Sequence, residues 1–216
     1  FTASAVNQSL ATNISNLNVL NSGTIRETLT YTITPHVSGG LGCTGPSVVV
    51  VISIDPVPAV TSAASQSICS GVAVNYVPTS GVSGTTFAWT SSVTAGVVSG
   101  NTGAGSGTIV DVLTNTSTAT GTVRYVITPT ANGCAGTPFN FDVTVDPQPV
   151  LTTIVAPVSQ VICSNTAMSI DVNSATVPGA GSVVYDYVAV PSAGTVTGFT
   201  ASAVNQSLAT NISNLN

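Results

Sequence analysis

The stretch GTVRYVITPTANGCAGTPFNFDVTVDPQP, residues 121–149, contains two segments in which apolar and polar residues alternate. In the first segment, Val123, Tyr125 and Ile127 share one face. In the second, every other residue from Phe139 to Val145 is apolar. A period of two is the pattern of a β-strand with one buried face. The stretch therefore predicts two half-buried strands, joined by a glycine-containing loop and followed by a segment with two prolines.

Similar alternation recurs in shorter segments along the chain, with Gly, Ser and Asn between them. VAVNYV starts at Val72, and TFAWTSSV starts at Thr86 and places Trp89 on its inner face. The segment YDYV, residues 185–188, places Tyr187 at the position that aligns with Trp89. No segment carries both the caps and the charged face of an amphipathic helix. Short strands at near-regular spacing predict an all-β protein made of antiparallel β-sandwiches.

The chain also repeats itself on two scales. Phe1–Asn18 is identical to Phe199–Asn216, which gives a period of 198 residues (199 minus 1). This identity predicts that the chain is a window cut from a tandem array. Inside the period, VRYVITP at 123–129 is echoed by LTYTITP at 29–35, and VTVDPQPV at 143–150 by ISIDPVPAV at 52–60. We therefore expect two related domains, A and B, in each period.

The repeats predict three domain segments. Residues 59–149 form a complete domain A, residues 1–58 the C-terminal half of a preceding domain B, and residues 150–216 the N-terminal half of the next domain B. The segments DPVPAV and DPQPV link them. Proline fixes φ and lacks the donor that a sheet needs, so strands should stop there. Two prolines two residues apart favour an extended, semi-rigid spacer, and hence an extended array.

The composition excludes several classes of partner. Charged residues make up 4% of the chain, and its two cationic side chains are Arg26 and Arg124, both in segments predicted to be strands. A net charge of −5 offers no basic surface, so we expect no binding to nucleic acid or to anionic membranes. The longest apolar run, SVVVVISI at 47–54, is too short to span a bilayer and suits a buried strand, so we expect no membrane insertion in this segment.

Four cysteines occur singly rather than in metal-binding clusters. This usage suggests disulfides and an oxidising, extracellular setting. We expect Cys69 to pair with Cys134 inside domain A, and Cys43 and Cys163 to pair with cysteines of neighbouring copies. Closing the 65-residue loop between Cys69 and Cys134 would add roughly 4 kcal/mol through the entropy of the unfolded chain. The alternative is four free thiols.

No pattern in the chain predicts an enzyme, a cofactor site or a metal centre. A triad through His36 lacks a nucleophile elbow, and the seven acidic residues are scattered. Asp55 and Asp146 occupy equivalent linker positions, which favours a structural role and leaves a weak single-ion site as the alternative. An aromatic residue at the position of Trp89 most often fills a sandwich core, the alternative being a platform for carbohydrate stacking. The residues that we expect in the core are Trp89, Tyr125, Phe141, Tyr31 and Tyr187.

The order ICSG…FAWT…GTIVDVLTN…GTVRYVITP…GCAGTPF…VTVDPQP resembles the PKD-like or Ig-like repeats of giant cell-surface proteins from Bacteroidota. It is similar to gliding-motility adhesins exported by the type IX secretion system. The resemblance implies tandem sandwiches at the cell surface, a stalk for adhesion or motility, and contacts with neighbouring repeats and with surface polysaccharide or substratum. Two other functions stay open: a carbohydrate-binding module of a secreted protein, and a subunit of a self-assembling extracellular fibre.

Overall fold

The structure is a computed structural model that describes residues 18–151, 153–154, 161–166, 169–170, 172–194, 196–199, 201–207 and 212–213. Every helix or strand assigned within these ranges is a β-strand. The strands are β1 (Glu27–Ile33), β2 (Val48–Ile54), β3 (Ser65–Cys69), β4 (Val72–Ala73), β5 (Thr86–Ala95), β6 (Val98–Ser99), β7 (Ala104–Ser106), β8 (Val112–Asn115), β9 (Gly121–Ala131), β10 (Cys134–Ala135), β11 (Phe139–Asp146), β12 (Thr153–Ile154), β13 (Ser169–Ile170), β14 (Val172–Asn173), β15 (Val184–Val188), β16 (Ser202–Ser207) and β17 (Ile212–Ser213).

Contacts divide the chain into two compact units. Unit 1 contains residues 1–62, 78–87 and 128–138, and unit 2 contains residues 63–77, 88–127 and 139–216. The two copies of the 18-residue repeat lie largely outside the described residues, so their shared conformation stays a prediction. The three domain segments derived from the repeats likewise stay a prediction.

The sandwich predicted for domain A is built from two sheets. The larger has the strand order β3-β11-β9-β5-β7, with β10 paired to β9, and the smaller has the order β4-β8-β6. Side chains at 0% exposure between them include Leu113, Ile109 and Val143. Along β9 fully buried and half-buried residues alternate without a break, which confirms the strand expected from GTVRYVIT.

One strand pair departs from the antiparallel expectation. β3, the first strand of domain A, runs parallel to β11, its last strand, with Ser65 opposite Asp142 and Cys69 opposite Asp146. Alternation predicts a strand and its buried face but not the direction of its neighbour, which is why the sequence missed this pair. The chain consequently enters at one end of the pair and leaves at the other.

The described part of unit 1 contains the hairpin β1–β2, which repeats the geometry of β9–β11. Its register pairs Leu29 with Ile52 and Tyr31 with Val50. In domain A the aligned residues Val123 and Tyr125 pair with Val143 and Phe141. The two hairpins therefore have the same register, as the alignment of domains A and B requires.

An asparagine with the same set of contacts precedes each hairpin. Asn115 donates from Nδ2 to the carbonyl oxygens of Ala119 and Val145, both at 2.8 Å. Asn21 donates to those of Ile25 and Ile54, again at 2.8 Å. The Oδ1 atom of each accepts the backbone N–H two residues later, at 2.9 Å. The side chain thus satisfies backbone groups where the strand begins, which explains why an asparagine stands at both positions.

The expected core aromatics fall into two groups. Trp89, Tyr125 and Phe141 are buried, at 7%, 0% and 0% exposure, and the Trp89 ring meets Tyr125 edge-on at 5.5 Å between centroids. Tyr31 on β1 and Tyr187 on β15 are half-buried. Opposite Trp89 stands Gly105, where a Cβ atom would overlap the indole ring. The lone tryptophan therefore requires a glycine as its cross-strand partner.

The described part of residues 150–216 contains three short strand pairs. β12 pairs with β14, β13 with β17 and β15 with β16, all antiparallel. In β15–β16, Tyr187 lies opposite Ala203, much as Trp89 lies opposite Gly105 in β5–β7. A small residue thus faces the large aromatic in both strand pairs.

Candidate functional site at the linkers

The first linker begins with a carboxylate that binds two segments of unit 1. Arg26 donates from Nε and from Nη2 to the two oxygens of Asp55, each at 2.8 Å. Asn132, in the loop that follows β9, donates from Nδ2 to Asp55 Oδ1 at 3.2 Å. The hydrogen bonds between the two side chains hold the pKa of Asp55 below its usual value and raise the pKa of Arg26. Asp55 therefore ties the end of β2 to the turn between β9 and β10, at Asn132.

The prolines of this linker are buried rather than solvated. Pro56 and Pro58 are among the side chains below 2% exposure, while Val57 between them is 56% exposed. Gly136 packs so closely on the linker that a Cβ atom there would overlap the carbonyl oxygen of Pro58. Buried prolines cannot move as a free spacer does, so the linker is anchored as well as stiff.

The second linker is anchored in a similar way within unit 2. Asp146 Oδ1 accepts the backbone N–H of Gly179 at 2.9 Å. Val177 donates its N–H to the carbonyl of Thr118 at 2.6 Å, and it forms a parallel β-bridge with Ala119. Asp55 and Asp146, which the repeat aligns, thus both accept hydrogen bonds from the segment predicted to be the next domain. This is the shared geometry of the two linkers.

These contacts bear on the alternative of a weak ion site at the linker carboxylates. Asp55 already binds a cation, the Arg26 guanidinium, through both of its oxygens. Within the described ranges, no group of three or more His, Cys, Asp or Glu side chains could hold a metal ion. His36 is exposed in the β1–β2 loop, where its backbone bridges Thr44. The linker geometry is suited to fixing backbone segments rather than to coordinating an ion.

The expected disulfide between Cys69 and Cys134 is wrong: both are free thiols. Cys69 lies opposite Asp146 on β11, and the residue before Asp146, Val145, pairs with Gly121 at the start of β9. Cys134, by contrast, pairs with Ala131 at the end of β9. Ten residues of strand separate those ends, about 33 Å at roughly 3.3 Å per residue. A disulfide requires Cα atoms within about 7 Å.

Cys43 and Cys163 are also free and exposed in this chain, and their pairing with other copies stays a prediction. The error for Cys69 and Cys134 has a simple origin. Linear spacing gives the length of a loop but not the distance between its ends.

A buried polar cluster in unit 2 was not anticipated from the sequence. Tyr125 donates its hydroxyl to Asp111 Oδ2 at 2.8 Å. Thr102 donates its backbone N–H to the same oxygen at 3.0 Å and its hydroxyl to Oδ1. Burial, aided by the hydrogen bond to Asp111, raises the pKa of Tyr125 and keeps it protonated. In the sequence, the only sign of this cluster was the aspartate in the segment GTIVDVLTN, and that residue alone does not predict which groups bind it.

The two arginines differ in their placement. Arg124 lies inside β9 and binds Asp142 on β11 through two hydrogen bonds, at 2.7 and 2.8 Å. That pair lowers the pKa of Asp142. Arg26 immediately precedes β1, not within a strand as expected, because the turn closed by Asn21 extends to Ile25. Its backbone is therefore outside the strand ladder.

Two observations bear on carbohydrate binding. Every aromatic side chain in the described ranges is buried or half-buried, so none forms an exposed stacking platform. A cavity of about 190 Å³ lies beside the second linker, lined by Pro149, Val150, Leu151, Ser174 and residues 183–186. Ligand pockets usually measure roughly 300–1,000 Å³. Neither feature favours a sugar site.

The sheets and linker contacts define a β-sandwich module of the immunoglobulin-like class, with polar clusters that tie successive segments together. Residues 2–58 and 66–149 match the model of the PKD-like domain, and since these stretches cover more than half of the chain, it belongs to the PKD-like domain family. PKD-like domains occur in extracellular proteins and are typically non-catalytic. No curated protein matches the chain. The described ranges contain no helix long and apolar enough to cross a membrane.

Proposed function

We propose that this chain is one period of a secreted, cell-surface filament in which A and B domains alternate and resist tension. Its role is structural rather than enzymatic, as the stalk of an adhesin of the kind used in surface adhesion or gliding motility. The observation that carries the proposal is the parallel pairing of β3 with β11. Its partners in the array are the neighbouring repeats.

Tension on domain A would load this pair in shear. The chain enters β3 at Ser65 and leaves β11 at Asp146, which lie at opposite ends of the pair. Pulling on the two ends slides one strand along the other, so the hydrogen bonds of the ladder must break together rather than one at a time. Asp142 donates its N–H to the carbonyl of Ala64 at 2.9 Å, and Ser70 donates to that of Asp146 at 2.8 Å. These bonds mark the two ends of the ladder.

The linkers support the same role. Asp55 and Asp146 each accept a hydrogen bond from the segment that follows them, and Pro56, Pro58 and Pro147 are buried. Anchored linkers limit bending between domains and carry force from one sandwich to the next. The near absence of charge leaves an uncharged surface of Thr, Ser, Asn and Gly, with few sites for trypsin-like proteases.

Single-molecule force spectroscopy on the full chain, tethered at its two ends, tests the proposal. Residues 65–146 should unfold in one step that lengthens the chain by on the order of 250 Å, after the folded length is subtracted. In a parallel ladder every second residue directs its N–H and C=O groups toward the partner strand. The two end bonds are made by Ala64 and Ser70, so between them Gln66 and Ile68 direct these groups toward β11. Gln66→Pro removes one of these donors and should lower the unfolding force.

Ser67→Pro is the matched control. The N–H of Ser67 points away from β11, so a proline at this position removes no hydrogen bond between β3 and β11. Ser67→Pro should therefore reduce the force much less than Gln66→Pro. Equal forces for the two variants, or unfolding of domain A in several small steps, would contradict a shear-loaded pair.

A further inference from the structure

We propose that Asn132 and Gly133 form a self-modification site, at which Asn132 loses its side-chain amide. The reaction consumes only water, and it converts the group that ties the first linker into a carboxylate. That carboxylate faces Asp55, the former hydrogen-bond partner, and the tie is released. The inference goes beyond the proposed load-bearing role, and the residues that carry it all lie within unit 1.

The two residues form the turn between β9 and β10. Ala131 pairs with Cys134, and the two residues between them have positive φ. The φ angle is 50° at Asn132 and 81° at Gly133, a conformation for which Asn-Gly is the favoured sequence. The turn alone therefore explains these residue types. It does not explain why the amide of Asn132 is also the donor to Asp55, at 3.2 Å.

The same two residues carry the chemistry of amide loss. The backbone nitrogen of Gly133 attacks Cγ of Asn132, the bond from Cγ to Nδ2 breaks, and ammonia leaves with the proton of the attacking nitrogen. Water then adds to one carbonyl of the cyclic imide and opens the ring, which gives aspartate or isoaspartate at position 132. Asparagine is among the thermally labile residues, and glycine has no side chain to shield the attacking nitrogen. In sum, one amide and one water become one carboxylic acid and one ammonia.

The reacting groups are accessible. Asn132 and Gly133 are both exposed, and in the described part of the chain no hydrogen bond holds the N–H of Gly133. The turn must open briefly for this nitrogen to reach Cγ, and β10 is only two residues long, Cys134–Ala135. Short pairings of this kind open locally at a free energy below that of global unfolding. The native turn therefore slows the reaction without preventing it.

The product replaces an attraction to Asp55 by a repulsion. An amide donates to a carboxylate, whereas an ionised carboxyl group only accepts, so the hydrogen bond is lost. The side chain of Asp55 is 16% exposed, against 57% for Arg26, so water screens the repulsion between two carboxylates poorly at this point. The single guanidinium of Arg26 offsets one of the two negative charges. Isoaspartate also adds one backbone atom to a turn of two residues.

The equivalent positions elsewhere lack this chemistry. The repeat aligns NGCAGTP with LGCTGPS, so Leu41 stands where Asn132 does, and leucine has no amide to lose. At the second linker, Asp146 accepts the backbone N–H of Gly179, which no side-chain hydrolysis can remove. Amide loss should therefore release the first linker and leave the second linker tied.

Ageing of the full chain at neutral pH tests the site. Mass spectrometry of peptides follows the gain in mass when OH replaces NH2, and position 132 should convert before the other asparagines of the chain. Gly133→Asn is the matched control, because asparagine tolerates positive φ and a Cβ atom at Gly133 meets nothing within 4 Å. The turn is kept while the nitrogen is shielded, so conversion at position 132 should slow several-fold. Equal rates in the two proteins, or earlier conversion of another asparagine, would overturn the site.

Hydrogen exchange measures the release of the tie. In the same hairpin, Gly136 donates its N–H to the carbonyl of Pro129 at 2.8 Å. Without the bond from Asn132 to Asp55, this N–H should exchange about fivefold faster, the equivalent of about 1 kcal/mol. The increase should appear in the aged chain and in Asn132→Asp, while exchange at Gly179 stays the same.

The double variant Asp55→Asn with Asn132→Asp interchanges donor and acceptor, and it should restore most of the protection of Gly136. Unchanged exchange at Gly136 in Asn132→Asp, or no recovery in the double variant, would overturn the release of the linker. Neither result bears on the unfolding force of the β3–β11 pair, so this proposal and the load-bearing role can fail separately.

Discussion

Replacing Tyr125 by phenylalanine removes one hydroxyl from the core of domain A and leaves its ring contacts in place. The ring meets Trp89 edge-on and lies 6.1 Å from Phe141 between centroids. What is lost is the 2.8 Å hydrogen bond to Asp111. Asp111 is 7% exposed, so water cannot easily replace the missing donor, and Thr102 remains its other partner.

The expected cost follows from the charge of the acceptor. A hydrogen bond to a charged group contributes roughly 1.5–3 kcal/mol to stability, against about 1 kcal/mol for a neutral one. For a domain of this size the loss would lower Tm by on the order of 10 °C. Tyr76→Phe is the control, because Tyr76 donates at 2.8 Å to a neutral acceptor, the carbonyl of Ala63, and stacks on Phe141. We expect it to cost about half as much.

Urea unfolding followed by Trp89 fluorescence measures both variants. Because the pKa of Tyr125 is raised, the stabilisation that its hydroxyl gives to the fold depends on pH. This stabilisation is complete below the pKa of about 10 that tyrosine has in the unfolded chain, and it is lost as the pH rises above that value. Tyr125→Phe should therefore flatten the alkaline fall in stability. A loss below about 0.5 kcal/mol, or strict additivity with Asp111→Asn in a double-mutant cycle, would refute the role given to this hydrogen bond.

Three other predictions concern the linkers and the thiols. Limited trypsin digestion of the native chain should cut after Arg26, which precedes β1, well before it cuts after Arg124 inside β9; the reverse order would contradict the strand assignment. Under mild oxidation, peptide mapping should find no link between Cys69 and Cys134 within one chain, because they lie at opposite ends of β9, and finding that link would refute the register of the sheet. Gly136→Ala should destabilise the folded chain by roughly 1–3 kcal/mol through overlap with the first linker, and an unchanged midpoint in thermal unfolding would show that the loop does not pack there.

Part of the site could be read from the sequence because the repeat carries it. Aligning the two domains placed Asp55 and Asp146 at equivalent positions, and the structure finds both accepting hydrogen bonds beside a buried proline. The partners of these carboxylates were not predictable. Asn132 and Gly179 stand in different parts of their domains, and nothing local in the sequence links either to its aspartate.

The sequence by itself determined that β9 and β11 are strands with one buried face, since alternation is a local property of the backbone. The expectation of a buried strand at SVVVVISI, residues 47–54, was wrong: β2 forms there but is exposed along most of its length, because burial depends on a packing partner that the apolar run does not specify. The sequence also determined that two related domains share one pattern, and the common register of β1–β2 and β9–β11 follows from that kinship. Only the tertiary structure decided that β3 lies parallel to β11, that Cys69 and Cys134 are far apart, and that Tyr125 binds Asp111. The edge of a strand presents the same N–H and C=O groups to any neighbour. The choice of neighbour, and with it every distance across the sheet, is therefore made by the packing of the whole sandwich.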